Sequence, residues 1–212
     1  PVTEFVSFAT RHNLTLDEVS LDEDIFFTAP ASSGPEPSEC DPLKAGRYLC
    51  DQLGSRLSSV LGYSAVFDNR NGIRATRGQR VVFSQDFAGL GGDVRYVRTR
   101  LDATKYFQLP YSFILSVHGQ GGYIHPLQKG DDSDGDAVRL TDRFFGAQMR
   151  GFDIRGIGPR IVRVPYDSEG NLIEDGNKVS DAIGGRAYYM GRVELEFPVS
   201  SGIRNMGLRP SA

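Results

Sequence analysis

The feature that most restricts this chain is a regular alternation of apolar and charged residues over unusually long segments. The clearest run is residues 93–108. There Val97, Leu101, Ala103 and Phe107 share one parity, and Arg98, Arg100, Asp102 and Thr104 share the other. Successive side chains of a strand point to opposite faces, so such a run builds a ribbon with one apolar and one charged face. Residues 111–123 repeat the pattern, with Phe113, Leu115 and Val117 opposite Ser112, Ser116 and His118. Residues 186–198 do so again, with Ala187, Tyr189, Gly191, Val193, Leu195 and Phe197 opposite Tyr188, Arg192, Glu194 and Glu196. Residues 56–68 and 79–88 also read as strands, and residues 2–16 as one with rougher alternation. In a soluble sandwich the charged face would be solvated and the apolar face would form the core. In an outer-membrane barrel the apolar face meets lipid and the charged face lines a wet lumen. Length favours the barrel: several segments run 10–15 residues, against five or six for most globular strands and about 9–11 for a tilted strand crossing a bilayer.

The connections alternate in length. Residues 17–55, rich in Asp, Glu, Pro and Ser, join the first two strands, and the polar, Gly-rich residues 124–185 join the fifth and sixth. Only Gln-Leu-Pro separates the fourth strand from the next. In up-and-down connectivity, alternate connections share a rim, so both long loops fall on one side. Outer-membrane barrels have that asymmetry, with short periplasmic turns and longer outer loops. The expected fold is therefore all-β: part of an antiparallel up-and-down transmembrane barrel, about six strands of it. No run approaches 18 apolar residues, which excludes a spanning helix. A net charge of -3 argues against nucleic-acid binding, which calls for a basic excess. Glycine, at 25 of 212 residues, fits a turn-rich β-protein. The chain opens on Pro1 rather than Met, as a processed or internal piece would.

Enzymatic chemistry finds no foothold. His12, His118 and His125 are not spaced with one another, with Cys or with carboxylates in any metal motif. The acidic run at residues 131–136 departs from a calcium loop, because counting from Asp132 puts Arg143 where the bidentate acid belongs. It reads as a solvated loop tip. No catalytic residue, metal site or cofactor is expected. Cys40 and Cys50 lie in a Pro-, Ser- and Gly-rich stretch. They are either a loop disulfide of an oxidising compartment or two unpaired small residues.

The most informative segment is residues 141–160, TDRFFGAQMRGFDIRGIGPR. Glycines permit tight backbone turns, aromatics supply anchoring area, and arginine supplies a planar fork for a carboxylate. Together they describe a loop that folds inward. Met149-Arg150-Gly151-Phe152 followed by Ile157-Gly158-Pro159 resembles the hallmark of the sixth extracellular loop of the BamA family, the outer-membrane protein assembly factors. The family has Val at the first position, where this chain has Met149. LGYSAVFDNRN at 61–71 and TRGQRVVFSQDFAGLGGDVRYVRTRLDATKYFQLP at 76–110 are similar to the middle barrel strands of that family, and AIGGRAYYMGRVELEFPV at 182–199 resembles the strand that follows its hallmark loop. Residues 17–55 match nothing there and read as a variable outer loop.

The resemblance implies a barrel of about 16 strands, preceded by periplasmic POTRA domains, of which this chain is an internal piece. POTRA domains and closing strands are absent from it. The family's hallmark arginine, here Arg150, enters the lumen and pairs with wall carboxylates, one in a Leu-Glu-Phe context. Here that context is Leu195-Glu196-Phe197. Alternation independently places Glu196 on the polar face, so an Arg150–Glu196 ion pair is expected, with Phe144 and Phe145 anchoring the root of the loop. The implied function is non-enzymatic: folding and inserting β-barrel proteins in the bacterial outer membrane. Its implied substrates are unfolded outer-membrane proteins, and its implied partners are periplasmic accessory lipoproteins. Two alternatives stand beside it: a related two-partner-secretion or autotransporter-assembly barrel, and a secreted β-sandwich binding module.

Overall fold

The computed structural model describes residues 3–27, 40–50, 52–127, 138–145, 149, 151–153, 155–164, 173 and 178–198. Eight strands follow in chain order: β1 (Val6–Val19), β2 (Gly54–Asp68), β3 (Gly78–Ala88), β4 (Tyr96–Gln108), β5 (Ile114–Pro126), β6 (Arg160–Arg163), β7 (Val179–Ala182) and β8 (Ala187–Glu196). Six of them form one antiparallel sheet in the order β1-β2-β3-β4-β5-β8. β6 and β7 pair with each other inside the connection between β5 and β8. Among the described residues the sheet does not close on itself. Its connections segregate as expected: residues 69–77 and 109–113 turn at one rim, and the long connections leave from the other.

The strand boundaries depart from expectation at several places: β1 begins at Val6 rather than 2, β4 at Tyr96 rather than 93, and β5 runs on to Pro126. β1 continues past residue 16, because its partner β2 begins at Gly54 and pairs with Val19. β5 starts at Ile114 rather than 111, since Pro110–Ser112 form a tight turn with Tyr111 (φ 59) and Ser112 (φ 64) in the left-handed region. The β6–β7 ribbon lies in a segment read as loop; four residues per strand are too few to establish a period. The acidic run at 131–136 lies outside the described residues.

Burial is inverted relative to a soluble protein. Asp86, on the charged face, is 2% exposed, whereas Tyr189, on the apolar face, is 94% exposed. Phe8, Leu16, Leu101 and Val193 are likewise exposed. A sandwich would have buried the Leu/Val/Phe face, so this sheet does not have a sandwich core. Polar groups on the outward face find partners within the chain. The Tyr63 hydroxyl donates to Gln85 Oε1 (2.9 Å), Gln85 Nε2 donates to Thr99 Oγ1 (3.0 Å), and His12 Nε2 lies 3.1 Å from Ser59 Oγ. In hydrocarbon there is no water to satisfy such groups, so internal pairing lets them face lipid. The buried apolar cluster among the described residues sits on the charged face near the long-loop rim. It joins Ala88, Val94, Tyr96 and Ile124 to Val138 and Phe144 of the long loop.

Candidate functional site

The charged face is organised by strand register. Arg11 of β1 pairs with Gly62 of β2, Gly62 with Asp86 of β3, and Asp86 with Arg98 of β4, so the four stand in one row across the sheet. Arg11 Nη2 donates to Asp86 Oδ1 across the intervening strand. Arg98 Nε donates to Asp86 Oδ2 at 3.1 Å. Gly62 makes the reach possible: a Cβ there would lie 2.4 Å from Asp86 Oδ1 and 2.9 Å from Arg11 Nε. A buried carboxylate needs charged donors to replace its lost hydration, and this one has them from both sides. A cavity of about 830 Å³ opens on the row, with Asp17, Ser84, Tyr96 and Arg100 also in its wall. Farther along the face, His118 Nε2 lies 2.9 Å from Asp102 Oδ2.

The root of the long loop, residues 138–145, docks onto this face. Tyr96 donates its hydroxyl to Asp142 Oδ1 at 2.8 Å, and Arg98 Nη1 reaches the Asp142 carbonyl at 3.4 Å. Burial pushes the Asp142 carboxyl above the usual carboxylate range, against the opposing pull of Tyr96 and Arg98. Arg139, 2% exposed, donates through Nη2 to the Gln52 carbonyl (3.2 Å), while Gln52 Oε1 accepts from the Leu140 N–H (3.3 Å). The outer loop is thus tied to the root of the long loop at Gln52, two residues beyond the disulfide that joins Cys40 to Cys50. Phe144 is buried against Tyr188, with ring centroids 4.8 Å apart and edge to face. Phe145 instead lies beneath Arg155, whose guanidinium carbon is 4.7 Å from its ring centre.

The hallmark residues sit beyond this root. Gly151 (φ +85) and Gly158 (φ +128) take left-handed conformations that an L side chain would resist. The Phe152 N–H donates to the Met149 carbonyl (3.2 Å). Met149, Phe152 and Ile157 remain 39–55% exposed, so within this chain the hallmark segment is less buried than the root. The Pro159 carbonyl accepts the Ile183 N–H (3.1 Å), and Arg160 clasps Ser180 through both its hydroxyl and its carbonyl at 2.8 Å. Arg150 lies outside the described residues. Glu196 pairs in register with Ile114 and lines a second cavity with Ser116, His118, Arg192 and Glu194.

Residue-by-residue reading missed the Arg11–Gly62–Asp86–Arg98 row and the part played by Asp142. Asp86 stands alone as an acid in QRVVFSQDFA, and only pairing with the neighbouring strands gives it meaning. Among the described residues, no group of three or more His, Cys, Asp or Glu is arranged to hold a metal ion.

Comparison with known proteins places these features. The model of the Omp85 superfamily domain matches residues 6–209. The chain is 30% identical over 148 residues to the outer membrane protein assembly factor BamA of Neorickettsia risticii (strain Illinois); the match takes in 69% of this chain and 17% of that protein. It is 25% identical over 123 residues to the SAM50-like protein CG7639 of Drosophila melanogaster, covering 56% of this chain and 27% of that one. The chain therefore spans about a sixth to a quarter of the length of these curated relatives. Its fold is similar to the crystal structure of BamA from Haemophilus ducreyi lacking POTRA domains 1-3, with a TM-score of 0.62 at 20% identity over 95% of this chain and 36% of that one. With Asp86 buried on its charged face, its apolar face outward and one family domain matched along nearly its whole length, the chain belongs to the Omp85 superfamily and has the fold of part of an outer-membrane β-barrel.

Proposed function

We propose that this chain is part of a barrel that folds and inserts β-barrel proteins into the bacterial outer membrane. The work is non-enzymatic, its substrates are unfolded outer-membrane proteins, and periplasmic accessory lipoproteins assist it. The observation that carries the reading is the inverted sheet with the root of a glycine- and arginine-rich loop docked on its charged face, in a chain 30% identical to an assembly factor. A lipid-facing sheet wall and a loop packed against its inner face are what a barrel acting on other barrels needs. Burial of Asp86 beside exposure of Tyr189 speaks against the β-sandwich binding module.

Within this reading, Arg150 pairs with Glu196. The Glu196 side chain stands on the same face as Asp86 and beside Arg192 and His118, which supports a site where a guanidinium replaces lost hydration. The test is complementation of a depleted host with the full-length protein. Arg150→Glu and Glu196→Arg should each lower the amount of folded, heat-modifiable outer-membrane protein, and the double exchange should recover much of it. Wild-type protein that restores none of that assembly would remove the functional reading. Single exchanges without effect would remove the pair.

A further inference from the structure

We propose that the root of the long loop is held by its own fastener, in which the Phe144 ring sits in a notch of the barrel wall left by Gly122. The inference rests on the assembly function proposed above only for its second readout. Arg100, Gly122 and Tyr188 form one row across β4, β5 and β8. The middle member has no side chain, and Phe144 fills the gap. A Cβ at Gly122 would lie 2.7 Å from Phe144 Cζ and 2.6 Å from Tyr188 Cε1. Tyr188 closes one side of the ring edge to face, and the Arg100 guanidinium carbon stands 5.4 Å from its centre. The backbone is held as well: the Phe144 N–H donates to the Gly185 carbonyl (2.9 Å), and the Gly185 N–H returns to the Phe144 carbonyl (2.7 Å).

Gly122 is costly in a strand, since it packs nothing and gives up more backbone freedom than other residues. A strand read on its own terms would favour a β-branched residue there. The notch accounts for glycine, because any side chain meets the seated ring. The fastener lies only five residues ahead of Met149, so it sets where the hallmark segment starts on the wall. Phe144 and Gly122 are positioning residues, distinct from the Arg150–Glu196 pair.

The experiment is hydrogen exchange, read by mass spectrometry, on the full-length protein in lipid nanodiscs. Gly122→Ala should speed exchange of 138–145 and 184–186 by about tenfold or more while β3 exchange stays unchanged. Adding Phe144→Leu and Tyr188→Leu, which draw back both side chains that the new methyl meets, should return exchange toward wild type. The same pair of variants should lower and then restore assembly of outer-membrane proteins. Unchanged exchange in Gly122→Ala overturns the notch. Faster exchange with full assembly overturns the positioning role. If Gly122→Ala does not fold, Phe144→Ser, which leaves every strand residue in place, must show the same loosening or the proposal fails. Exchange is read without reference to assembly, so wild-type protein that assembles nothing would count against the functional reading alone.

Discussion

Replacing Asp86 by Asn tests whether the charged row is a structural element of the wall or a set of solvated side chains. The substitution preserves shape and removes one charge. The amide oxygen can still accept from one guanidinium, but its NH2 must then face the other, donor against donor. Arg98 is 18% exposed at its side chain, so most of its coupling to the buried carboxylate survives solvent screening. A hydrogen bond to such a charged group is worth about 1.5–3 kcal/mol. Arg11 is 47% exposed, which discounts its share to about 1 kcal/mol or less. The expected cost is about 2–4 kcal/mol in all. The assay is urea unfolding of the full-length protein in detergent micelles, with the transition slope checked against wild type so that the midpoint shift reports stability. In an Arg98→Met background the same change should cost clearly less, because the two residues share one interaction. A loss below about 0.5 kcal/mol, the scale of an ordinary surface substitution, would show that the row is hydrated and contributes nothing to the wall.

Gly62→Val tests the reach of Arg11 across β2. Valine suits a strand, yet its Cβ would stand 2.4 Å from Asp86 Oδ1, so a loss of about 1–2 kcal/mol is expected. That loss should shrink by half or more once Asp86 and Arg11, the two side chains the new Cβ meets, are both replaced by alanine, and an undiminished loss would place the strain elsewhere. Docking of the loop root should depend on pH through Asp142. Its carboxyl is raised in the docked state, so that state binds the extra proton between the ordinary carboxylate range and the raised value. Docking is then strongest below that window and weakens as pH rises through it. Hydrogen exchange of 138–145, corrected for intrinsic rate, should show this, and Asp142→Asn should abolish the dependence. A profile that is flat in wild type, or that persists in the variant, would remove Asp142 as its origin.

Much of the wall was legible in the sequence because a strand has period two. Val97, Leu101 and Phe107 declare one face and Arg98, Arg100 and Asp102 the other without reference to any other strand. Glu196 was placed on the polar face in the same way, and it stands beside Arg192 and His118 in a cavity on that face. The rim asymmetry followed from counting connections. The loop was harder. Its glycines mark turns, and Gly151 and Gly158 do occupy left-handed conformations, but β6 and β7 are too short to announce themselves.

Alternation by itself determined that this chain makes a two-faced sheet, since side-chain direction in a strand is a local property of the backbone. It could not determine which face is wet, because both faces of such a ribbon are consistent with water or with a core. Tertiary structure decided that, by burying Asp86 and exposing Tyr189. It also decided which residues meet. Arg11 and Asp86 are 75 residues apart and come together only because β2 lies between them with a glycine at the crossing. Phe144 finds Gly122 because the loop returns to the strand it left. Register is a relation between strands, and no single stretch of sequence contains it.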